Sequence, residues 1–145
     1  MNTGKAVPLI ALLAIGFIGA KTIGSGSVVP DPAIHQADDD TFAALLAQDP
    51  PLKVVEFGAT WCPPCRKLQP ELNKLASWMP ETVAIIQVDS DLCPKVSADH
   101  RIESLPTLIL YRGDQILDRT QNPRKLATLQ EWVQPHLPVP AEATL

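Results

Sequence analysis

The sequence predicts an α/β fold in which helices cover both faces of a mixed, four- to five-stranded sheet. Two short apolar runs, residues 54–59 and 83–88, have the composition of buried strands, and a helical pattern separates them. Further along, residues 107–111 and 115–120 flank a glycine-containing turn and are predicted to form an antiparallel hairpin. Strands that alternate with helices and end in a hairpin and a last helix indicate a mixed sheet.

Four segments are predicted to be helical: one that starts near Thr41 and ends before Pro50, then residues 66–79, 94–102 and 124–136. In the longest of them, Leu68, Leu72, Leu75 and Met79 recur at i, i+4, i+7 and i+11. Side chains with this spacing lie on one face of a helix, so this helix is expected to pack on the sheet.

The composition is that of a single globular domain with short extensions. The chain has 145 residues, of which 46% are hydrophobic and 19% are charged. This balance argues against general disorder. The net charge is −4 and no basic patch is present, so nucleic acid is not an expected partner.

The first 23 residues are predicted to be a signal peptide or an N-terminal membrane anchor. Residues 7–20 are almost wholly apolar, although the run is shorter than the roughly 20 residues that a full span needs. An anchor is favoured over a cleaved signal. A buried helix of the domain is disfavoured because a linker rich in Gly, Ser and Pro, residues 24–37, follows the run.

The boundaries that follow place the folded domain at residues 38–137 and a flexible tail at residues 138–145. An export signal or anchor would carry this domain out of the cytoplasm. The expected location is therefore extracytoplasmic, in a periplasm or in a compartment like the thylakoid lumen.

A redox motif, Trp61-Cys62-Pro63-Pro64-Cys65, lies where the first buried strand runs into the longest helix. Residues three apart in a helical turn are neighbours, and the N-terminus of a helix favours the thiolate that attacks disulfides. A purely structural disulfide would close too small a loop to stabilise the chain much. A zinc site would need two more ligands, for which Cys93 and His100 are the nearby candidates. Redox chemistry is therefore the favoured interpretation, and no metal is expected.

The chain resembles the thioredoxin family over roughly residues 38–137. Trp61 directly precedes the first cysteine, as it does in thioredoxins, and Pro70 falls where that family kinks this helix. Residues 104–107, Ser-Leu-Pro-Thr, look like the family's cis-proline loop. The resemblance implies a thioredoxin fold, although the family's usual first strand is not evident and residues 26–33 are a poor candidate for it.

The resemblance also implies the roles of the catalytic residues. Cys62 would be the attacking thiol and Cys65 the resolving thiol, so that their redox-active disulfide serves in place of any external cofactor. Glu56 matches a buried acid that passes protons to and from the resolving thiol in the family. A glutamate on an edge strand that points to water is the alternative, but an unpaired buried acid is costly and argues for a function.

Five residues are predicted to form the surface that binds the substrate: Trp61, Pro63, Pro64, Leu105 and Pro106. The resemblance implies a cis bond before Pro106, with the backbone of Leu105 pairing with an extended substrate; a trans proline at the strand start is the alternative. Trp61 is expected at the rim, with a core aromatic as the alternative.

Pro63 and Pro64 are also expected to influence the redox potential. Each removes an amide that could have stabilised the sulfur of Cys62, which should keep its pKa from falling far and favours a reductant. Arg66 and Lys67 act in the opposite direction.

Several residues near the motif are interpreted as bystanders. Cys93 is predicted to be a half-buried spectator, with a regulatory or mixed-disulfide role as the alternative. His35, His100 and His136 are interpreted as surface residues. Gly58 stands where thioredoxins have a tryptophan, which is expected to loosen the packing around the site.

These observations predict a monomeric thiol–disulfide oxidoreductase that reduces disulfides of exported proteins. Reduction in an oxidising compartment needs a source of electrons, so a membrane thiol donor is an expected partner alongside the protein substrates. Two alternatives remain: a disulfide oxidase or isomerase, and a non-catalytic binding module with the same fold.

Overall fold

The computed structural model describes residues 34–121, 123 and 125–138. In chain order the elements are β1 (Ile34–Ala37), α1 (Phe42–Leu46), β2 (Leu52–Gly58), α2 (Pro63–Trp78), β3 (Val83–Asp89), α3 (Pro94–Asp99), β4 (Thr107–Arg112), β5 (Gln115–Gln121) and α4 (Leu126–Val133). A short 3₁₀ helix, Gln134–His136, follows α4. Among the described residues, no helix is both long enough and apolar enough to cross a bilayer.

The described strands form one mixed sheet in the order β1-β3-β2-β4-β5. The first three of these strands run parallel, whereas β4 is antiparallel to β2 and β5 is antiparallel to β4. The predicted α/β class and the terminal hairpin are therefore confirmed. Since β2 lies in the centre of the sheet, the residues that follow its C-terminal end have fixed neighbours on both sides.

Helices pack on both faces of this sheet and enclose two cores. On one face α2 and α4 cover the strands; the buried side chains there include Leu68, Leu72, Leu75, Leu129 and Val133. On the other face α1 and α3 do so; the buried side chains there include Phe42, Leu46, Cys93 and Val96. The predicted apolar face of α2 is thus confirmed. Because both faces of the sheet are buried, β2 and β3 consist of nearly continuous apolar residues.

The predicted start of the domain is wrong, because β1 lies inside the segment interpreted as a linker. Ile34–Ala37 pairs in parallel with β3, so the fold begins before residue 38. The four residues Ile-His-Gln-Ala carry little apolar signal of their own. They form a strand because β3 offers an open edge, which is a tertiary effect.

Other predicted boundaries differ by a few residues or cannot be compared. The helix predicted for residues 94–102 ends as α3 at Asp99, and the last helix ends at Val133 before the 3₁₀ turn. The proposed signal or anchor, residues 1–23, lies outside the described residues, as does the predicted tail beyond residue 138.

Candidate active site

The cysteine motif joins β2 to α2, and its two sulfurs are bonded to each other. Cys62 and Cys65 form a disulfide with their Cα atoms 5.3 Å apart, a normal separation for such a bridge. Cys62 is the N-cap of α2, and its Sγ accepts a hydrogen bond of 3.2 Å from the backbone N–H of Cys65. Both cysteines are buried.

Pro63 and Pro64 occupy the first two positions of α2 and are exposed. Neither has a backbone N–H, so the amide of Cys65 is the first in the helix that can donate to Cys62. The hydrogen bond described above shows that it does so. Prolines therefore suit the geometry of the helix start while reducing the number of donors around the sulfur.

A groove of about 410 Å³ opens beside Cys62. Trp61, Pro63, Pro64 and Leu105 line it together with the cysteine. Four of the five residues predicted to bind substrate thus lie around one sulfur. The Leu105–Pro106 peptide bond is cis, as predicted, and Pro106 is buried directly before β4.

Trp61 is an exposed rim residue rather than a core aromatic. Its side chain is 62% exposed. The indole Nε1–H donates a hydrogen bond of 2.6 Å to the carboxylate of Asp91, which the sequence analysis did not single out. This hydrogen bond connects the rim of the groove to the residues that follow β3.

Glu56 is buried in the middle of β2, which rules out the alternative of an exposed edge glutamate. Glu56 is only 4% exposed, and β3 and β4 pair with β2 on either side of it. Burial raises the pKa of the Glu56 carboxyl, while a hydrogen bond of 2.8 Å from Nε2 of Gln87 acts in the opposite direction. A buried carboxyl with a raised pKa can both accept and release a proton, which is what acid–base catalysis requires.

A second cavity, of about 340 Å³, lies on the other side of the disulfide. Glu56, Gly58, Cys65 and Gln87 are among its lining residues. A Cβ atom at Gly58 would stand 2.8 Å from Oε1 of Glu56 and 3.5 Å from Sγ of Cys65. The absence of a side chain at Gly58 therefore leaves room for the carboxylate beside the sulfur of Cys65.

Residues 33–135 match the thioredoxin family. This chain belongs to the thioredoxin family. A thioredoxin-like protein of Synechocystis sp. is 33% identical over 93 residues, which are 64% of this chain and 89% of that protein. Thioredoxin 1 of Nostoc sp. is 32% identical over 106 residues, 72% of this chain and 98% of that protein. Chloroplastic thioredoxin Y2 of Arabidopsis thaliana is 30% identical over 100 residues, 69% of this chain and 60% of that protein.

Family membership establishes the general chemistry. Thioredoxins are protein-disulfide oxidoreductases that use a redox-active disulfide and no external cofactor, and this chain holds such a pair at Cys62 and Cys65. It is therefore a thioredoxin-like protein-disulfide oxidoreductase. The described residues contain no group of three or more His, Cys, Asp or Glu side chains arranged to hold a metal.

Cys93 of this thioredoxin-like chain is fully buried rather than half-buried. Its Sγ–H donates to the backbone oxygen of Ala37 at 3.3 Å. Burial, followed by the carboxylates of Asp39, Asp38 and Asp89, raises the pKa of this thiol. A high thiol pKa means little thiolate, which agrees with the interpretation of Cys93 as a spectator.

His100 is partly exposed, as His35 and His136 are, but it is not a simple surface residue because its ring packs against core aromatics. Its ring lies 5.2 Å from that of Phe42 and 5.3 Å from that of Phe57, measured between centroids, and its Nδ1 is 2.7 Å from the backbone oxygen of Val96. His100 is the C-cap of α3, and its contacts with the two phenylalanines depend on how α3 packs on the sheet, which a lone histidine in the sequence could not reveal.

Three glutamines beside Glu56 were missed by sequence reasoning. Gln87 bonds to Glu56, and Gln36 and Gln69 bond to Gln87. One signal was available, because Gln87 is the polar residue within the apolar run of β3. A polar side chain in a strand that is buried on both faces needs a partner.

Proposed function

We propose that this protein reduces disulfides of exported proteins through a mixed disulfide at Cys62 that Cys65 resolves. One observation carries the proposal: the two cysteines line different cavities. Cys62 lines the groove beside Trp61 and Leu105, whereas Cys65 lines the cavity that holds Glu56. The sulfur that meets the substrate and the sulfur that meets the acid are thus separate.

The first step uses the groove. In the reduced protein, the thiolate of Cys62 attacks one sulfur of the substrate disulfide, and a new S–S bond joins the two proteins. The other substrate sulfur leaves as a thiolate and takes up a proton. An extended segment of the substrate would pair with the backbone of Leu105 while Trp61 covers its side chains.

The second step uses the cavity. The thiol of Cys65 gives its proton to the carboxylate of Glu56 and then attacks Sγ of Cys62. The bond between Cys62 and the substrate breaks, the Cys62–Cys65 disulfide forms, and the second substrate sulfur leaves as a thiolate. Two electrons have then passed from the cysteine pair to the substrate, which is released with both sulfurs reduced.

The small number of hydrogen-bond donors around Cys62 favours a reductant. A strong oxidant needs a very stable thiolate, which stabilises its reduced form. In α2 the two prolines withhold their amides and leave the N–H of Cys65 as the donor seen at the sulfur. A less stabilised thiolate keeps the potential of the pair low, although Arg66 and Lys67 in the next turn oppose the effect.

The reduction potential of the Cys62–Cys65 pair is the measurement that tests this function. We expect equilibration in dithiothreitol and glutathione buffers to give a value near the roughly −270 mV of thioredoxin. The wild type should then reduce insulin, and Cys62→Ser should not. Cys93→Ser is the matched control, since the same change at the buried spectator should leave insulin reduction intact. A potential well above that of glutathione would instead indicate an oxidase or isomerase.

A pair that never cycles would favour the binding module. In that case neither buffer would change the state of the disulfide, and Cys62→Ser would bind the same partners as the wild type.

The proposal places the protein outside the cytoplasm, working as a monomer and supplied with electrons by a membrane thiol donor. The apolar run at residues 7–20 supports the location, and the oxidising character of such compartments supports the need for a donor. Expressed in a bacterium, the full chain should be found in the membrane or periplasmic fraction. A chain that lacks residues 1–23 should stay in the cytosol. Finding both chains in the cytosol would contradict the location.

A further inference from the structure

A chain of side-chain hydrogen bonds runs from Glu56 to the protein surface. Nε2 of Gln87 donates to Oε2 of Glu56 at 2.8 Å and to Oε1 of Gln69 at 2.5 Å. Oε1 of Gln87 accepts from Nε2 of Gln36 at 2.6 Å. The three glutamines come from β3, α2 and β1, and Gln87 connects the other two to a carboxylate in β2.

We propose that Gln87 is a positioning residue for Glu56, and that Gln36 and Gln69 hold its amide with the NH₂ group facing the carboxylate. The proposal rests on the role of Glu56 proposed above. Gln87 touches neither the substrate groove nor the sulfurs, so it would act on the reaction through Glu56.

The hydrogen-bonding capacity of Gln87 explains why its orientation is determined. Gln87 is only 9% exposed, so its amide must find hydrogen-bond partners within the protein. Both N–H groups are used, one by Glu56 and one by Gln69, and the oxygen accepts from Gln36. A rotation of the amide by half a turn would turn its oxygen toward the carboxylate of Glu56 and its NH₂ group toward the NH₂ group of Gln36. Both of those bonds would be lost, which a buried site does not tolerate.

The bond to Gln87 also determines which carboxylate oxygen faces the cysteines. Gln87 holds Oε2. A Cβ atom placed on Gly58 would lie 2.8 Å from Oε1 of Glu56 and 3.5 Å from Sγ of Cys65. One oxygen is therefore held while the other is left on the side of Cys65. Oε2 can keep accepting from Gln87 after Oε1 has taken a proton, but the bond is stronger to the charged carboxylate.

The electrostatic setting of Glu56 contains few other charges. Around the cavity, the remaining charged or titratable groups are Arg66 of α2, Asp89 at the end of β3 and the thiol of Cys65 after reduction. The neighbour from β4 is Leu108, which is apolar, and β1 contributes Gln36. The amide of Gln87 is the polar group hydrogen-bonded to the carboxylate, so its removal should be visible in the titration of Glu56.

Replacement of Gln87 by methionine tests the proposal, since this change keeps the length of the side chain and removes the donor. Carboxyl carbon NMR of the oxidised protein should show the pKa of Glu56 shifted upward, because the charged form loses its hydrogen bond. The pH profile of mixed-disulfide resolution should shift in the same direction. At neutral pH the resolution rate should fall about tenfold, since less carboxylate is available as base.

Two further variants make the result decisive. Gln69→Met disturbs the amide of Gln87 from a half-buried position and should give a smaller upward shift, even if Gln87→Met does not fold. Gln115→Met makes the same change on the exposed strand β5 and should leave the Glu56 titration unchanged. If neither Gln87→Met nor Gln69→Met moves the titration of Glu56 in a folded protein, the proposal is overturned.

The titration also separates this proposal from the proposed function. It is recorded on the oxidised protein without substrate, so it reports on Gln87 whether or not the wild type reduces insulin. An upward shift in an inactive wild-type background would retain the positioning role of Gln87 and reject the reductase.

Discussion

Cys65→Ser is expected to stop the reaction at the covalent complex between Cys62 and the substrate. In the oxidised protein the sulfur of Cys65 is bonded to that of Cys62, and Cys65 lines the cavity that holds Glu56 rather than the groove beside Cys62. A serine hydroxyl cannot form the S–S bond that releases the product. We expect turnover to fall by at least about 10³-fold, as for the loss of other covalent nucleophiles, while attack by Cys62 continues.

The trapped complex provides the measurement. Cys65→Ser incubated with a disulfide protein should give an adduct that non-reducing electrophoresis and mass spectrometry assign to Cys62. The double variant Cys62→Ser/Cys65→Ser should give none, and Cys93→Ser should turn over without accumulating an adduct. An adduct at Cys93, or none at all with Cys65→Ser, would contradict the assignment of attacking and resolving thiols.

Glu56→Gln is expected to make the protein more stable at neutral and alkaline pH. Burial raises the pKa of Glu56 in the folded protein above its ordinary value of 4.5. The folded state then binds this proton more tightly than the unfolded state. The resulting stability is complete below pH 4.5 and is lost as the pH rises through the raised pKa. Glutamine has nearly the same shape and no proton to lose, so the variant should not show this loss.

Urea denaturation of the oxidised proteins between pH 4 and pH 8 would measure the effect. The two free energies of unfolding should agree at the acid end, and Glu56→Gln should exceed the wild type by about 1–3 kcal/mol at pH 8. Glu81→Gln, a change at an exposed glutamate, should follow the wild type at every pH. Parallel curves for Glu56→Gln and the wild type would show that burial does not perturb this carboxyl.

The same substitution should slow the chemistry. Without a carboxylate beside Cys65, resolution of the mixed disulfide at neutral pH should fall about 100-fold. Rapid-mixing kinetics would detect the fall as an accumulating Cys62 adduct. A variant that is both more stable and slower would indicate that the buried acid is kept for function at the expense of stability.

The active site could be predicted from the sequence because its main parts are local in the chain. A strand, a Cys-x-x-Cys pair and a helix follow one another without interruption, so the start of α2 places both cysteines together. The burial of Glu56 followed from its position among apolar residues of one strand. The cis bond before Pro106 lies far away in the chain, and it was predicted from resemblance rather than from local chemistry.

Other features were inaccessible because their signals are distributed over distant segments. Gln36 is 51 residues from Gln87, and Gln69 is 18 residues from it, so the hydrogen bonds among them exist only after the sheet and α2 have assembled. Lys53 is fully buried in β2, where its ammonium donates to the backbone oxygens of Gln48 and Pro50. A lysine at that position in a sequence is ordinarily taken to be exposed.

The sequence by itself therefore determined the α/β class, the cysteine pair at the head of a helix and the buried acid beneath it. Each depends on hydrophobic periodicity or on the geometry of a few consecutive residues. Only the tertiary structure decided that Ile34–Ala37 would be a strand and that Cys62 and Cys65 would face different openings. It also decided that Gln36, Gln69 and Gln87 would form a hydrogen-bonded cluster beside Glu56. These features depend on strand pairing and on buried polar groups that must find partners, and both are satisfied by residues far apart in the chain.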